Sequence, residues 1–358
     1  MDLKSVLTNI EASRDDIIAV MSEMIAIPAL APENGGVGEG ARADMLQRCL
    51  VGYDTVERID VPDEVDPECT RANILARKIG KEEGTVWIVA HMDTVPVADS
   101  EIWDTDPFTA VVKNGKIYGR GTEDNGQAIL SSMFASKFIP AEILSRKSIG
   151  IAYVADEETS SRMGISYLLD QGYFSDKDVF IVPDWGSPNG TLIDVAEKNL
   201  VWLKFEVMGK TTHGSTPNKG LNAFRVGTYF LAELMSKFSR EFCEVDPLFE
   251  PSISTFEPTK NDITVLNVNT IPGKYEFYMD IRVIPRYGLE EVIKSARDLA
   301  KEYERRTGAR IVVSEIQRHA SGKVSSTNND TYKALSDSIF EVTGVRPKPI
   351  GVGGATCA

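Results

Sequence analysis

Ile17, Met21, Met24 and Ile25 recur at helical spacing behind Ser13 and Asp15, which predicts a helix that Pro28, Pro32 and the Gly35-Gly36 pair bring to an end. A second helix is expected over residues 41–50. The rhythm then changes to short apolar runs at 85–90, 149–155 and 179–183. Runs this apolar read as strands covered on both faces. With covering helices expected over 127–139 and 163–169, the pattern is that of an α/β domain with a mixed, mostly parallel sheet. Asn114-Gly115, between two short strand-like segments, reads as a hairpin turn.

After residue 198 the order becomes strand (200–208), helix (221–238), two strands (263–268 and 275–283), helix (289–303) and strand (310–316). Leu289, Val292, Ile293, Ala296, Leu299, Ala300 and Tyr303 keep one apolar helical face through four turns. A β-α-β-β-α-β order of this kind predicts a ferredoxin-like unit that folds as a domain. It is expected to be inserted, with the first domain occupying 1–197 and resuming over 319–358. There a helix is expected at 328–340 and a strand at 350–358 running into a Gly-rich loop.

A length of 358 residues suits two domains of this kind. The 53 acidic residues outnumber the 39 Lys and Arg, giving a formal charge of -14 that disfavours nucleic acid or an anionic membrane as partner. A small-molecule substrate suits that balance better. Asp2 and Lys4 interrupt the first apolar residues, and no run reaches membrane-spanning length, so a cytoplasmic location is expected. Cys49, Cys69, Cys243 and Cys357 are scattered, which suggests neither a disulfide framework nor a Cys-rich zinc site.

Polar residues gather where the three apolar runs end. His91 and Asp93 follow the first, Asp156, Glu157 and Glu158 the second, and Asp184 the third. In open α/β sheets ligands bind beyond the carboxyl ends of the strands. Two residues apart, His91 and Asp93 face one side of an extended segment, so Asp93 can hold the imidazole nitrogen that does not bind metal. Asp124 lies in the Gly-flanked loop 119–126, where acids can approach an ion closely. Neighbouring Glu157 and Glu158 cannot point the same way in regular strand, so one can bind metal while the other faces a water as base. One or two His with several carboxylates suits zinc or cobalt.

These segments resemble, in order and spacing, the aminoacylase, succinyl-diaminopimelate desuccinylase, acetylornithine deacetylase and glutamate carboxypeptidase family of di-zinc metallohydrolases. The resemblance extends through residues 209–217 with Gly220, Asn222 and Ala223, through 269–273 and 280–282, and to the final 353–356 segment. It implies a zinc-peptidase-like catalytic domain and a lid that serves dimerisation. It also implies two zinc ions, or cobalt: His91 and Asp184 on one, Glu158 on the other, Asp124 bridging, and Asp93 orienting His91. A metal-bridging water would be the nucleophile and Glu157 the general base. His213 would reach the active site of a second subunit in a homodimer, and Asn269 and Arg282 would contact the substrate carboxylate.

The resemblance implies a late histidine for the second metal, yet the histidines are His91, His213 and His319. The expectation is a C-terminal part cut short at Ala358 and a second metal site left incomplete. Asn125-Gly126 and Cys357 also depart from the family pattern, which bears on the substrate. The expected reaction is hydrolysis of an N-acyl amino acid, with a dipeptidase or carboxypeptidase as alternative. A non-catalytic metal or amino-acid binding protein is the reading from another class.

Overall fold

The computed structural model describes residues 3–98, 102–139, 144, 146–263 and 265–354, which form two compact units that part between Trp185 and Gly186. In the first unit, helices α1 (Leu3–Ala12), α2 (Arg14–Ile25) and α3 (Gly40–Cys49) precede strands β1 (Thr55–Pro62), β2 (Thr70–Lys78) and β3 (Thr85–His91). The hairpin β4 (Val111–Lys113) and β5 (Lys116–Tyr118) turns at Asn114 and Gly115, whose φ of 54° and 74° explain the choice of Asn-Gly. Helix α4 (Ala128–Lys137), strand β6 (Ser148–Val154), helix α5 (Ile165–Asp170) and strand β7 (Val179–Ile181) complete the unit.

The sheet runs β1-β2-β6-β3-β7. Only the β6-β3 and β3-β7 pairings are parallel, so "mostly parallel" is corrected to an even mixture. Its source is β1 and β2, whose polar and apolar residues mix too freely to stand out as apolar runs. Val89, Ile151 and Ala152 in the central strands are fully buried, and each such aliphatic side chain larger than Ala stabilises the unit by about 1.5–3 kcal/mol. One side packs Met24, Ile25, Leu46, Ile129 and Phe134 of the helices against Ile74 and Tyr153, and the other gathers Trp87, Val89, Val154 and Leu168. Burial on both sides is why these strands are apolar throughout.

In the second unit β8 (Leu192–Glu197) precedes β9 (Asn199–Met208), the short β10 (Thr212–His213), α6 (Ala223–Glu241), β11 (Thr255–Ile263), β12 (Thr270–Ile271) and β13 (Lys274–Val283). Helix α7 (Leu289–Thr307), β14 (Arg310–His319), α8 (Asp330–Thr343) and β15 (Lys348–Val352) follow. The four-stranded sheet β11-β13-β9-β14 is antiparallel throughout, which is the ferredoxin-like order. Strand β13 buries alternate residues, and Phe277 stacks on Phe205 of β9 with ring centroids 4.6 Å apart. Asn222 caps α6 by accepting the Arg225 N–H at 3.0 Å, and α7 stops at Gly308 with φ 76°.

The strand expected at 263–268 lies instead at Thr255–Ile263. This edge strand buries Phe256 but is exposed from 257 to 262 and carries a register shift beside Pro258, so apolar alternation is missing from it. The strand expected at 350–358 runs Lys348–Val352 and pairs parallel with β8, while residues 355–358 lie outside the described residues. Residues 186–197 and 319–354, expected with the catalytic segment, group with the second unit by their contacts.

Candidate metal centre and active site

Strand β3 lies between β6 and β7 and runs parallel to both, so His91, the Asp156–Glu158 turn and Asp184 all emerge at one edge of the sheet. His91 is 1% exposed, and its Nε2 faces Asp124 Oδ1 at 2.7 Å, Asp184 Oδ1 at 3.5 Å and Glu157 Oε2 at 3.9 Å. Its Nδ1 lies 3.1 Å from the Asp93 carbonyl oxygen and 3.3 Å from Asp93 Oδ1. Burial works against a charged imidazole here, but bonds to Asp124, Asp184 and Asp93 outweigh it and hold His91 well above its ordinary range in the metal-free chain.

Asp93 has a second task. Its Oδ1 accepts the Glu157 N–H at 3.2 Å and its Oδ2 accepts the Glu158 N–H at 3.0 Å. One carboxylate thus fixes the orientation of the imidazole and the start of the turn that carries both glutamates.

Asp124 reaches the site on a tight loop. Gly121, at φ 79°, turns the chain into it, and a Cβ there would stand 2.7 Å from Thr94 Cγ2. The Gly126 N–H closes the loop onto the Gly121 carbonyl at 3.0 Å. The Asp124–Asn125 peptide is cis, and Asn125 donates its side-chain amide to Asp184. Bonding to His91 lowers the Asp124 carboxyl below its usual range.

Both glutamates shift the opposite way from Asp124. Burial, reinforced by the charges of Asp184, Asp93 and Glu158, pushes Glu157 up to about 8. Glu158 rises to about 7, again through burial first and then the charges of Asp124 and Asp93. Neither acid has a cationic side chain other than His91 among the first causes of its shift.

This arrangement fits a divalent cation. One ligand atom from each of His91, Asp124 and Glu158 lies within 4.8 Å of the others, and the same holds for His91, Glu157 and Asp184. Asn125 Oδ1 is buried without a hydrogen-bond partner among the described residues. An excess of crowded carboxylates around one imidazole is the charge imbalance that a dication relieves, and the mixed N and O donors suit a transition metal.

Behind the site lies a group that the strand-end reading did not find. Arg71 of β2, 1% exposed, donates to Glu39, Asp63 and Asp156, all of them buried. The available signal was a charged residue inside an otherwise buried strand, as the β2 segment shows. Arg42 is likewise buried, giving its Nη1 to the Met92 carbonyl at 2.7 Å and its Nη2 to that of Ile27 at 2.6 Å.

The remaining expected site residues belong to the second unit. His213 and Asn269 meet there, with Asn269 Nδ2 3.4 Å from His213 Nε2, and both are exposed. Pairing of β10 with β12 sets His213 opposite Thr270 and so brings them together. Arg282 binds elsewhere: its Nε and Nη2 donate to Asp280 at 2.9 and 3.1 Å, and its Nη1 to the Gly353 carbonyl at 2.5 Å. His319 lies 3.5 Å from Glu197.

Comparison with known proteins adds four findings. The family model described as peptidase family M20/M25/M40 matches residues 87–358. The chain is 34% identical over 366 residues to an uncharacterized metallohydrolase of Methanococcus maripaludis, covering 96% of this chain and 88% of that protein. It is 26% identical over 347 residues to a succinyl-diaminopimelate desuccinylase of Rickettsia felis, covering 95% and 87% respectively. Among solved structures, an M20 family metallo-carboxypeptidase from Sulfolobus solfataricus superimposes with a TM-score of 0.77 at 16% identity, over 95% of this chain and 87% of that one.

Proposed function

Since the chain belongs to peptidase family M20/M25/M40, and is therefore a metallohydrolase acting on amide or peptide bonds, we propose that it removes the acyl group from an N-acyl amino acid. The proposed reaction resembles that of succinyl-diaminopimelate desuccinylase or acetylornithine deacetylase, and similarity to the Rickettsia felis desuccinylase supports it. The observation that carries the reading is Glu157. Its carboxylate is 12% exposed, its Oε2 faces His91 Nε2 at 3.9 Å, and Asp93 fixes its backbone.

Glu157 is the general base of this scheme. It takes a proton from the water that attacks the amide carbonyl and returns it to the leaving amine as the C–N bond breaks. Asp93 keeps the imidazole of His91 oriented, with Nε2 turned to the site. His91 and Asp184 would hold one zinc or cobalt ion and Glu158 a second, with Asp124 shared between them. A bound divalent cation supplies polarisation of the carbonyl and acidification of water at neutral pH.

Substrate recognition falls to the second unit in this proposal. Asn269 and Arg282 contact the substrate carboxylate, a contact for which a planar guanidinium is suited and for which Arg282 would exchange its bonds to Asp280. His213 assists in a homodimer formed through residues 198–318. A cytoplasmic location follows from the same reading. Among the described residues no helix is long and apolar enough to cross a membrane.

A dipeptide is the second substrate class, favoured by the description of the matching family as peptidases. The same residues act on either bond. Substituting Glu157→Gln tests the shared mechanism: turnover of zinc-loaded protein should fall by about 10²–10⁴-fold with metal content retained. Unchanged turnover in that variant would remove Glu157 from the role of base.

A further inference from the structure

Arg71 is 1% exposed in the middle of the first unit, and its partners come from four separate segments. Its Nε lies 3.0 Å from both carboxylate oxygens of Glu39, just before α3. Its Nη1 reaches Asp63 Oδ2 and Asp156 Oδ1, each at 3.2 Å, and its Nη2 lies 4.0 Å from Asp93 Oδ2. Glu39 also accepts the Asp156 N–H at 3.3 Å.

Two of those partners belong to segments that build the site. Asp156 adopts φ 65°, and its carboxylate accepts from Ser160 Oγ at 2.7 Å and from the Met163 N–H at 3.1 Å, gathering the turn that presents Glu157 and Glu158. Asp93 accepts the N–H groups of those same glutamates and touches His91. A buried ion cluster of this kind gives little net stability over an apolar core of equal volume, so stability alone does not account for four carboxylates around one guanidinium. A planar fork with five donors can instead hold several acceptors at fixed relative positions, which a flexible ammonium cannot.

We propose that Arg71 is a positioning residue, clamping the His91–Asp93 segment to the Asp156–Glu158 turn so that Glu157 and the metal-binding side chains keep their mutual geometry. This rests on the metallohydrolase reading for its effect on turnover, but its effect on metal binding is independent of any substrate. Arg71 acts through Asp93 and Asp156 and touches no reacting atom.

The test compares Arg71→Lys and Arg71→Met in the full chain with Arg162→Met, which removes an exposed arginine paired to Glu64 on the same turn. Zinc affinity is read by competition with a chromophoric chelator on metal-stripped protein, and kcat and KM on zinc-loaded protein, far below the melting temperature of each variant. Arg71→Lys is expected to fold, to bind zinc about 10–100-fold more weakly and to lose a comparable factor in kcat. Its KM should stay within about threefold of the parent value, because only the reacting geometry has changed. Arg71→Met should be worse in both readouts, and Arg162→Met should match the parent. A folded Arg71→Lys or Arg71→Met with parental zinc affinity and kcat overturns the proposal, as does an Arg71→Lys chain that cannot fold, which would make the cluster a structural one. If Arg71→Met alone fails to fold, Arg71→Lys decides. Absence of turnover in the parent chain would count against the proposed reaction, while the zinc titration would still judge the clamp.

Discussion

Asp93 stands directly behind Glu157: its Oδ1 accepts the Glu157 backbone N–H at 3.2 Å, and the same oxygen lies 3.3 Å from His91 Nδ1. The proposed base and a proposed metal ligand therefore share one support. Substituting Asp93→Ala should leave the overall fold intact and weaken zinc binding by about 10–100-fold, as removal of a partner behind a metal-binding histidine does. Circular dichroism and a chelator-competition titration together check both halves.

The metal-free chain should lose stability as pH rises. Glu157 and Glu158 stand at about 8 and about 7 in the folded protein, against 4.5 for an unperturbed glutamate. Between those limits the folded state binds more protons than the unfolded one, so unfolding free energy falls with pH. His91, also raised, acts in the same direction. Thermal melts of chelator-stripped protein should shift downward between about pH 5 and about pH 8, and Glu157→Gln should flatten that slope. A rising melting temperature over that window would contradict the placement of these acids.

Metal uptake should release protons for the same reason. A cation can bind only after Glu158 and its neighbours ionise and His91 gives up its second proton, so zinc affinity should increase through neutral pH. Calorimetric titrations in two buffers of differing ionisation enthalpy measure the number of protons displaced. Heats that do not depend on buffer would exclude linked ionisation.

Gly121→Ala should destabilise the Asp124 loop. An alanine at φ 79° is strained, and its Cβ would sit 2.7 Å from Thr94 Cγ2. The expected loss is about 1–3 kcal/mol in the first unit, seen as a lowered unfolding midpoint, together with weakened metal binding because Asp124 is displaced.

Much of this arrangement was legible in the sequence for a physical reason. Strands buried on both faces must be apolar, so β3 and β6 stood out; β7 is equally apolar but is an edge strand with Phe180 exposed, so cover on both faces does not hold for it. Helix α7 was equally visible, since Leu289 through Tyr303 form one continuous buried face. Strand β11 was misplaced because it is an edge strand that buries only Phe256 and exposes residues 257–262, so no alternation marks it. The Arg71 cluster was hidden because Glu39, Asp63, Asp93 and Asp156 converge from distant segments, and no local spacing announces them. His213 and Asn269 do come together through the β10-β12 pairing, whereas Arg282 is bound by Asp280 and Gly353.

The central claim is that the His91, Asp124, Glu157, Glu158 and Asp184 cluster is a metal-dependent amide-hydrolysing centre. The most direct measurement is turnover of N-succinyl-diaminopimelate, N-acetylornithine and simple dipeptides by zinc-loaded protein of known metal content, repeated after chelation and again after zinc is restored. The account predicts hydrolysis of at least one of these amides, its loss on chelation and its return with zinc. Turnover that survives complete removal of metal, or a fully zinc-loaded chain that leaves every amide intact, would contradict it.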